Sequence, residues 1–146
     1  MILSGCGLNV PADPDGTLDS VRGGTLQVGI SPNGEFTVVG DDDTYSGSEV
    51  ALIEGFAEEL GADIEWTVGS EETLVRGLED DRIDVVIAGL TDATPWVEKT
   101  GVTRPYREAT ADDRSTQKLV MLVPIGENAF ISELETFLSE AAGESE

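Results

Sequence analysis

The sequence contains no histidine, one cysteine and only 2 lysines among its 146 residues. Without histidine the chain lacks the usual general base near neutral pH and the commonest metal ligand, so catalysis would have to rest on carboxylates. A single cysteine cannot form an internal disulfide bond. No apolar run approaches the roughly 20 residues needed to span a bilayer. These absences argue against a histidine-based enzyme, a disulfide-stapled fold and a membrane-spanning body.

Acidic residues dominate the charge of the chain. There are 30 aspartates and glutamates against 8 lysines and arginines, which gives a net charge of -22. Nucleic acids and anionic lipid head groups would be repelled by such a surface. The acidic run at residues 40–43 lacks the spaced ligands of a calcium loop, so it predicts a solvent-facing turn and no metal site. The length suits one domain.

The first residues suggest an anchor. Residues 2–6, Ile-Leu-Ser-Gly-Cys, resemble the lipobox of bacterial and archaeal lipoproteins, in which cleavage behind Gly5 would leave Cys6 to carry a lipid. The segment up to residue 23 is polar and contains Pro and Gly, as flexible tethers do. The alternative is a chance sequence beside a free thiol, because a signal peptide has an apolar core of about 7–15 residues and only 5 residues precede Cys6. A lipidated Cys6 would hold the chain on the outer face of the cell membrane.

Strand and helix patterns alternate along residues 24–88. The predicted elements are strands at 26–30, 36–39, 64–68 and 83–88, and helices at 48–60 and 70–79. Ser70 is a typical N-cap, and Gly61 a typical helix stop. Residues 83–88 are the most apolar run, which predicts the centre of a sheet. The pattern predicts an α/β fold with a single open, mostly parallel sheet flanked by helices.

In open α/β sheets, ligands bind beyond the carboxyl ends of the strands. That edge is predicted to collect Ser31, Glu71, Gly89 and Thr91. Glu71 is either a carboxylate in the first turn of a helix or a partner for a cationic group. Gly89 either allows close packing at a strand end or exposes its backbone to a ligand.

Several segments together resemble the first lobe of the family 3 solute-binding proteins. They are Gly47-Ser48-Glu49-Val50-Ala51-Leu52, Leu60-Gly61, the run Ile-Asp-Val-Val-Ile-Ala-Gly-Leu-Thr at residues 83–91, and Thr103-Arg104-Pro105-Tyr106. Their order and spacing match over about 80 residues. The family serves importers of the ATP-binding cassette type, mostly for amino acids. The resemblance implies one lobe of a type II periplasmic-binding-protein fold.

Three positions depart from the family pattern. The family places an aromatic residue that stacks on the ligand where this chain has Glu71, and a threonine followed by a carboxylate-gripping arginine where it has Ala93 and Trp96. Thr91 is kept. A guanidinium is a planar bidentate donor, which neither Trp96 nor Lys99 reproduces. The departures argue against a standard amino-acid ligand. Trp96 either packs at the surface or stacks on a flat or cationic ligand.

The family's chain normally crosses into a second lobe after the position of Tyr106. Here only 11 residues, 107–117, separate Tyr106 from a predicted strand at 118–123, so the second lobe is missing. A predicted helix at 127–140 resembles the terminal helix that packs back on the first lobe. The alternative is that the strand opens a truncated second lobe. We expect residues 1–23 to form the lipobox and tether, 24–142 the lobe, and 143–146 a frayed tail.

Two classes of function follow. The first is a non-catalytic, lipid-anchored extracytoplasmic solute-binding protein of an importer, without cofactor or metal, for a small polar or cationic solute. Ser31, Glu71, Gly89, Thr91 and Trp96 would line its site. Its partners would be the solute, the transporter's membrane subunit, and a second copy if the chain forms a homodimer. The second class is a degenerate lobe that binds a protein partner and no small molecule.

Overall fold

The computed structural model describes residue 14, residues 16–110 and residues 116–144. The predicted lipobox with Cys6 lies outside the described residues. The helices are α1 (Thr17–Val21), α2 (Ser48–Leu60), α3 (Glu71–Glu79) and α4 (Asn128–Glu144). The strands are β1 (Thr25–Ile30), β2 (Val38–Val39), β3 (Tyr45–Ser46), β4 (Asp63–Val68), β5 (Val85–Ile87), β6 (Gly101–Val102), β7 (Arg107–Thr110), β8 (Thr116–Leu119) and β9 (Leu122–Val123). Short 3-10 helices occupy Asp41–Asp43 and Pro95–Glu98.

Five strands form the main sheet in the order β4-β1-β5-β9-β6. β1 runs parallel to both β4 and β5, while β9 is antiparallel to β5 and to β6. β9 is thus the one strand of this sheet that runs against the others, and the predicted mostly parallel sheet is confirmed. β5 stands in the middle and all its residues are buried, as its apolar sequence predicts.

Side chains of the central strands alternate between two cores, one on each face of the sheet. Val85 and Ile87 of β5 enter a core built with α1, α2 and α4, which we call the α2-side core. Val86 and Ala88 enter a core built with α3, which we call the α3-side core. Successive residues of a strand point to opposite faces, so a continuous apolar run can serve both cores.

Helix α3 packs closely on β1 and on the segment that connects it to β5. A Cβ added at Gly77 of α3 would stand 2.5 Å from Cδ1 of Ile83, and one added at Gly29 of β1 would stand 2.9 Å from Cδ2 of Leu74. Both distances are shorter than any ordinary carbon contact, so these positions have room for hydrogen only. The helix begins where predicted, because Ser70 Oγ accepts a hydrogen bond from the Thr73 amide at 3.2 Å. The close packing and the N-cap together hold the first turn of α3 against the rest of the lobe.

The segment predicted to be a tether contains a packed helix. Leu18 and Val21 of α1 are buried in the α2-side core. The Thr17 hydroxyl donates to buried Glu127 at 2.6 Å, just before α4 begins. Residues 17–21 therefore belong to the lobe, and the lobe begins earlier than the predicted boundary at residue 24. The single helical turn buries only two apolar side chains, which is too short a pattern to separate from a linker in the sequence.

A β-hairpin stands where the second lobe would be inserted. β7 and β8 pair in antiparallel register from Arg107 with Leu119 to Thr110 with Thr116. The strand predicted at 118–123 is divided, since its first part belongs to this hairpin and its last part, β9, joins the main sheet. Residues 119–123 still alternate between the two cores. The chain therefore returns to the first lobe, and the alternative of a truncated second lobe is wrong.

Helix α4 then packs on the α2-side core through Phe130, Leu134 and Leu138. It continues to Glu144, four residues beyond the predicted end, so residues 143 and 144 are helical. The predicted hairpin arm at 36–39 contains β2, which pairs with β3 across the exposed acidic turn at Asp41–Asp43. In the described part of the chain, no helix has both the length and the apolar character needed to cross a membrane.

We predict that Gly77→Ala destabilises the lobe, although alanine favours a helix over glycine by up to about 1 kcal/mol. The new methyl group would collide with Ile83, and overpacking of this kind costs about 1–3 kcal/mol. The free energy of unfolding in urea measures the effect. Gly55→Ala in α2 is the matched control, because its methyl group would meet only the far edge of the Phe137 ring, at 3.0 Å. Equal stability of both variants would contradict the packing argument.

Candidate functional site

Three chain segments leave the sheet at the same edge. They are residues 31–37 after β1, residues 69–72 after β4, and residues 88–98 after β5, and we call them together the strand-end edge. The order β4-β1-β5 places the segment after β1 between the other two. The amides of Ser31 and Gly69 continue the ladder, donating to Ile87 and Ile30 respectively, both at 3.2 Å. Parallel neighbours thus bring the predicted site residues to one face of the lobe.

A buried carboxylate lies beneath this edge. Glu49, in the first turn of α2, is 0% exposed and accepts two hydrogen bonds. The Gly89 amide donates to its Oε1 at 2.8 Å, and the Tyr106 hydroxyl donates to its Oε2 at 2.5 Å. Glu49 therefore ties the start of α2 to the turn after β5 and to the residue that precedes the β7–β8 hairpin.

Burial raises the pKa of Glu49 to about 7, and this effect exceeds the lowering by the hydrogen bonds from Tyr106 and Gly89 and by the charge of Arg107. Burial, followed by the neighbouring Glu49 charge, raises the pKa of Tyr106 far above its usual range. Tyr106 is therefore a permanent donor, while Glu49 titrates near neutral pH. Neither side chain is open to solvent, so the pair positions the backbone around it and does not face a ligand directly.

The turn after β5 is held from the other side by Asn33. Its Nδ2 donates to the carbonyl oxygen of Ala88 at 2.8 Å and to that of Gly89 at 3.4 Å. Gly89 adopts a φ of 62°, and a Cβ there would meet Asn33 Nδ2 at 2.6 Å and the Phe36 ring at 2.9 Å. Only glycine suits this position. With its amide bonded to Glu49, Gly89 serves the geometry of the turn.

Glu71 and Trp96 meet at this edge. The Trp96 indole N–H donates to Glu71 Oε1 at 3.0 Å, which joins the first turn of α3 to the 3-10 helix after β5. Both side chains are half-buried, and Trp96 packs against the α3-side core. Trp96 also lines a cavity of about 310 Å³ between α3 and the 3-10 helix, together with Val75 and Lys99.

The two predicted hydroxyl groups are also at the edge, and both residues are half-buried. Thr91 Oγ1 accepts a hydrogen bond from the Ala93 amide at 3.3 Å, so its own hydrogen remains available for donation. The Thr91 backbone forms a β-bridge with Leu119, beside the β7–β8 hairpin. The Ser31 hydroxyl has no hydrogen-bond partner among the described residues. The edge therefore offers polar groups that a solute could engage.

All five predicted residues lie in the segments of this edge, and two of them, Glu71 and Trp96, form a hydrogen bond with each other.

The sequence analysis missed two residues that hold the turn after β5, Glu49 and Asn33. A signal for Glu49 exists, because it precedes buried Ile53 by four residues and so lies on the apolar face of α2. Asn33 carries no such signal, since turn clusters commonly contain asparagine. No group of three or more metal-ligating side chains converges within the described ranges.

The raised pKa of Glu49 predicts that the free energy of unfolding depends on pH. Its folded-state pKa of about 7 exceeds the reference value of 4.5, so its contribution to stability is fully present below pH 4.5 and is lost as pH rises to about 7. At about 1.36 kcal/mol per unit, that loss is about 3 kcal/mol. In Glu49→Gln this dependence should vanish, as measured by urea denaturation at constant ionic strength across the window.

Glu54→Gln is the control, because Glu54 is exposed on the same helix and should leave the pH dependence of the wild type intact. The quantity to compare is the stability difference between wild type and each variant, which cancels the general repulsion of an acidic chain. Parallel curves for the wild type and Glu49→Gln would contradict the assignment.

Comparison with known proteins identifies this architecture. Residues 26–144 match the family described as bacterial extracellular solute-binding proteins, family 3. No curated protein sequence matches the chain. Arginine-bound domain 1 of TmArgBP, the arginine-binding protein of T. maritima, is similar in a point-mutant form, with a TM-score of 0.75 and 23% identity over 86% of this chain and 98% of that chain.

Two further structures share the fold at lower identity. A Salmonella typhimurium periplasmic binding protein with high arginine specificity aligns with a TM-score of 0.69 and 13% identity, over 82% of this chain and 93% of that chain. An ancestral amino-acid-binding protein, described as a precursor of cyclohexadienyl dehydratase, aligns with a TM-score of 0.75 and 15% identity, over 88% and 94%. The match over residues 26–144 and the similarity to domain 1 of TmArgBP agree: the chain belongs to the family 3 extracellular solute-binding proteins and has the fold of one of their lobes.

Proposed function

We propose that this chain is a non-catalytic solute-binding component of an importer of the ATP-binding cassette type, held at the outer face of the membrane by a lipid on Cys6. The observation that carries the proposal is the convergence of half-buried polar and aromatic side chains at the strand-end edge of a family 3 lobe. Ser31, Thr91, Glu71 and Trp96 offer two hydroxyls, a carboxylate and an aromatic surface. This set suits a small polar or cationic solute.

Gly89 has an indirect part in the proposed site. Its amide is bonded to Glu49, so it contributes by letting the turn after β5 approach the segment after β1. Asn33 and Glu49 hold that turn from opposite sides. A preorganised turn keeps Thr91 in place before the solute arrives, which lowers the ordering cost of binding.

Similar proteins support an amino-acid-like or cationic solute. Among the similar structures, one is bound to arginine, one is an ancestral binding protein for cationic amino acids and one has high arginine specificity. Identities of 13–23% leave room for a different ligand here. Glu71 and Trp96, at which the sequence departs from the pattern that the resemblance implies, both belong to the proposed site. We therefore propose a solute of the same size class, with its exact chemistry set by these two residues.

Within the residues that the structure describes, the β7–β8 hairpin stands where an opposing lobe would be inserted, and the strand-end edge is left open. Two-lobed proteins enclose a ligand by hinge closure, which buries most of its surface. We infer that a second protein surface closes this site, either a second copy of the chain or the membrane subunit of the importer. The Thr91–Leu119 bridge joins the hairpin to the strand-end edge, and this supports a role for the hairpin in contacting such a surface.

The first test measures ligand binding and its location. In a panel of amino acids, diamines and guanidino compounds, a ligand at 100 times its dissociation constant should stabilise the chain by about 2.7 kcal/mol. Ser31→Ala and Thr91→Val should each weaken binding by about 0.5–1.5 kcal/mol, the worth of one hydrogen bond. Ser139→Ala, exposed on α4, is the control. If the whole panel leaves the unfolding temperature unchanged, the chain is a partner-binding module and the proposal fails.

The second test concerns enclosure. Light scattering should detect a doubling of mass when the stabilising ligand is added, because the bound solute would bridge two copies. Lys118→Glu, which reverses an exposed charge on the hairpin, should reduce this association while leaving the free chain folded. Tight binding by a chain that stays monomeric, with no partner recovered by crosslinking in membranes, would show that the open edge suffices and would refute the need for a second surface.

A further inference from the structure

The Glu71–Trp96 hydrogen bond orients both side chains of the pair. The indole N–H is used by Glu71 Oε1, so Trp96 can offer a ligand only the surface of its ring. Glu71 has no other side-chain hydrogen bond among the described residues, which leaves its second oxygen, Oε2, as an acceptor. A carboxylate beside an aromatic face is a combination that attracts cations, through charge and through the ring quadrupole.

The charges around the pair have one sign. The three segments of the strand-end edge contain no lysine or arginine, and their five acidic residues are Glu35, Glu71, Glu72, Asp92 and Glu98. An amino-acid carboxylate bound here would have no cationic partner within these segments. It would also lie close to the Glu71 charge, and like charges within a partly desolvated site repel.

Among the basic residues near the edge, Arg76 and Arg107 interact with glutamates of the lobe, whereas Lys99 and Lys118 are exposed at its border. Arg76 is paired with Glu72 at 3.3 Å on the exposed surface of α3. Lys99 lines the lateral cavity beside Trp96. Arg107, at the start of the hairpin, interacts electrostatically with buried Glu49. Its positive charge offsets a small part of the rise in the Glu49 pKa that burial causes. The positive end of α3 could in principle receive an anion, but its first turn already carries the carboxylates of Glu71 and Glu72.

We propose that this lobe selects a cation without a carboxylate, such as an amine, a diamine or a guanidino compound, and binds its charged group between Glu71 Oε2 and the ring of Trp96. This inference rests on the proposed solute-binding function and narrows its ligand class. Trp96 orients the Glu71 carboxylate and covers one side of the cation, while the absence of a basic side chain from the edge discriminates against α-amino acids.

Pairs of ligands that differ only by one carboxylate give the direct test. Arginine and agmatine form one pair, and lysine and cadaverine form the other. Calorimetric titration of the full chain should give dissociation constants about tenfold or more lower for agmatine and cadaverine, a factor equivalent to about 1.4 kcal/mol. The comparison uses the unaltered protein, so it does not depend on whether a variant folds.

Variants locate the effect. Glu71→Gln should weaken agmatine binding by about tenfold, the usual cost of losing a charge-assisted hydrogen bond. Glu72→Gln is the matched control, because it removes the same charge one residue away, where the side chain is exposed and paired with Arg76. It should change binding by less than about threefold. Trp96→Phe keeps an aromatic ring and loses the indole N–H, so agmatine binding should weaken by an intermediate factor.

The outcomes separate this inference from the function on which it rests. If arginine and lysine bind as tightly as their decarboxylated partners, or more tightly, the inference is overturned and the solute-binding function stands. Equal effects of Glu71→Gln and Glu72→Gln would also overturn it, because Glu71 would then act only through the overall negative charge of the surface and not through direct contact with the cation. If no member of either pair, and no amino acid, binds, the proposed function fails and the inference fails with it.

Discussion

The buried carboxylate of Glu49 is the interaction on which the candidate site depends. It accepts hydrogen bonds from Gly89 and Tyr106, and these residues belong to the turn after β5 and to the approach to the hairpin. An uncompensated buried carboxylate is costly, and here both oxygens are satisfied. Glu49 thus joins the start of α2 to the turn after β5 and to the residue before the hairpin. These hydrogen bonds hold the strand-end edge on the core beneath it.

The same arrangement explains how a single lobe can keep its shape without a second one. The chain leaves the main sheet after β6, forms the β7–β8 hairpin and returns as β9 between β5 and β6. Leu119, Met121 and Val123 then complete the α2-side core, and Val120 and Leu122 the α3-side core. Both cores are therefore closed within the lobe, and the surface left unmatched is the edge where ligands bind in this class of sheet.

Helix α3 supplies Glu71 to the strand-end edge and packs closely on its neighbours. Gly29 of β1 leaves room for Leu74 of the helix, and Gly77 of the helix leaves room for Ile83 in the connection to β5. Trp96 reaches Glu71 from the segment after β5, although β1 lies between β4 and β5 in the sheet. A glutamate and a tryptophan thus meet where the resemblance to the family predicts an aromatic residue and an arginine.

Local patterns in the sequence determined most of the secondary structure and the class of fold. The apolar run at 83–88, the N-cap at Ser70 and the left-handed Gly61 each act within a few residues, so their effect can be read without the rest of the chain. The predicted site residues also reached one edge, because parallel strands place their carboxyl ends together. The packing of α1 and the division of residues 118–123 between two sheets were not predicted.

Only the tertiary structure decided which polar groups face a solute and which are used inside the lobe. Gly89 was a candidate for ligand contact, and its amide is bonded to Glu49, forty residues away in sequence. Glu71 and Trp96 were separate candidates, and they form one pair. The physical reason is that hydrogen bonds between distant segments depend on how the strands are ordered and how closely the helices pack, and no local pattern in the chain encodes those distances.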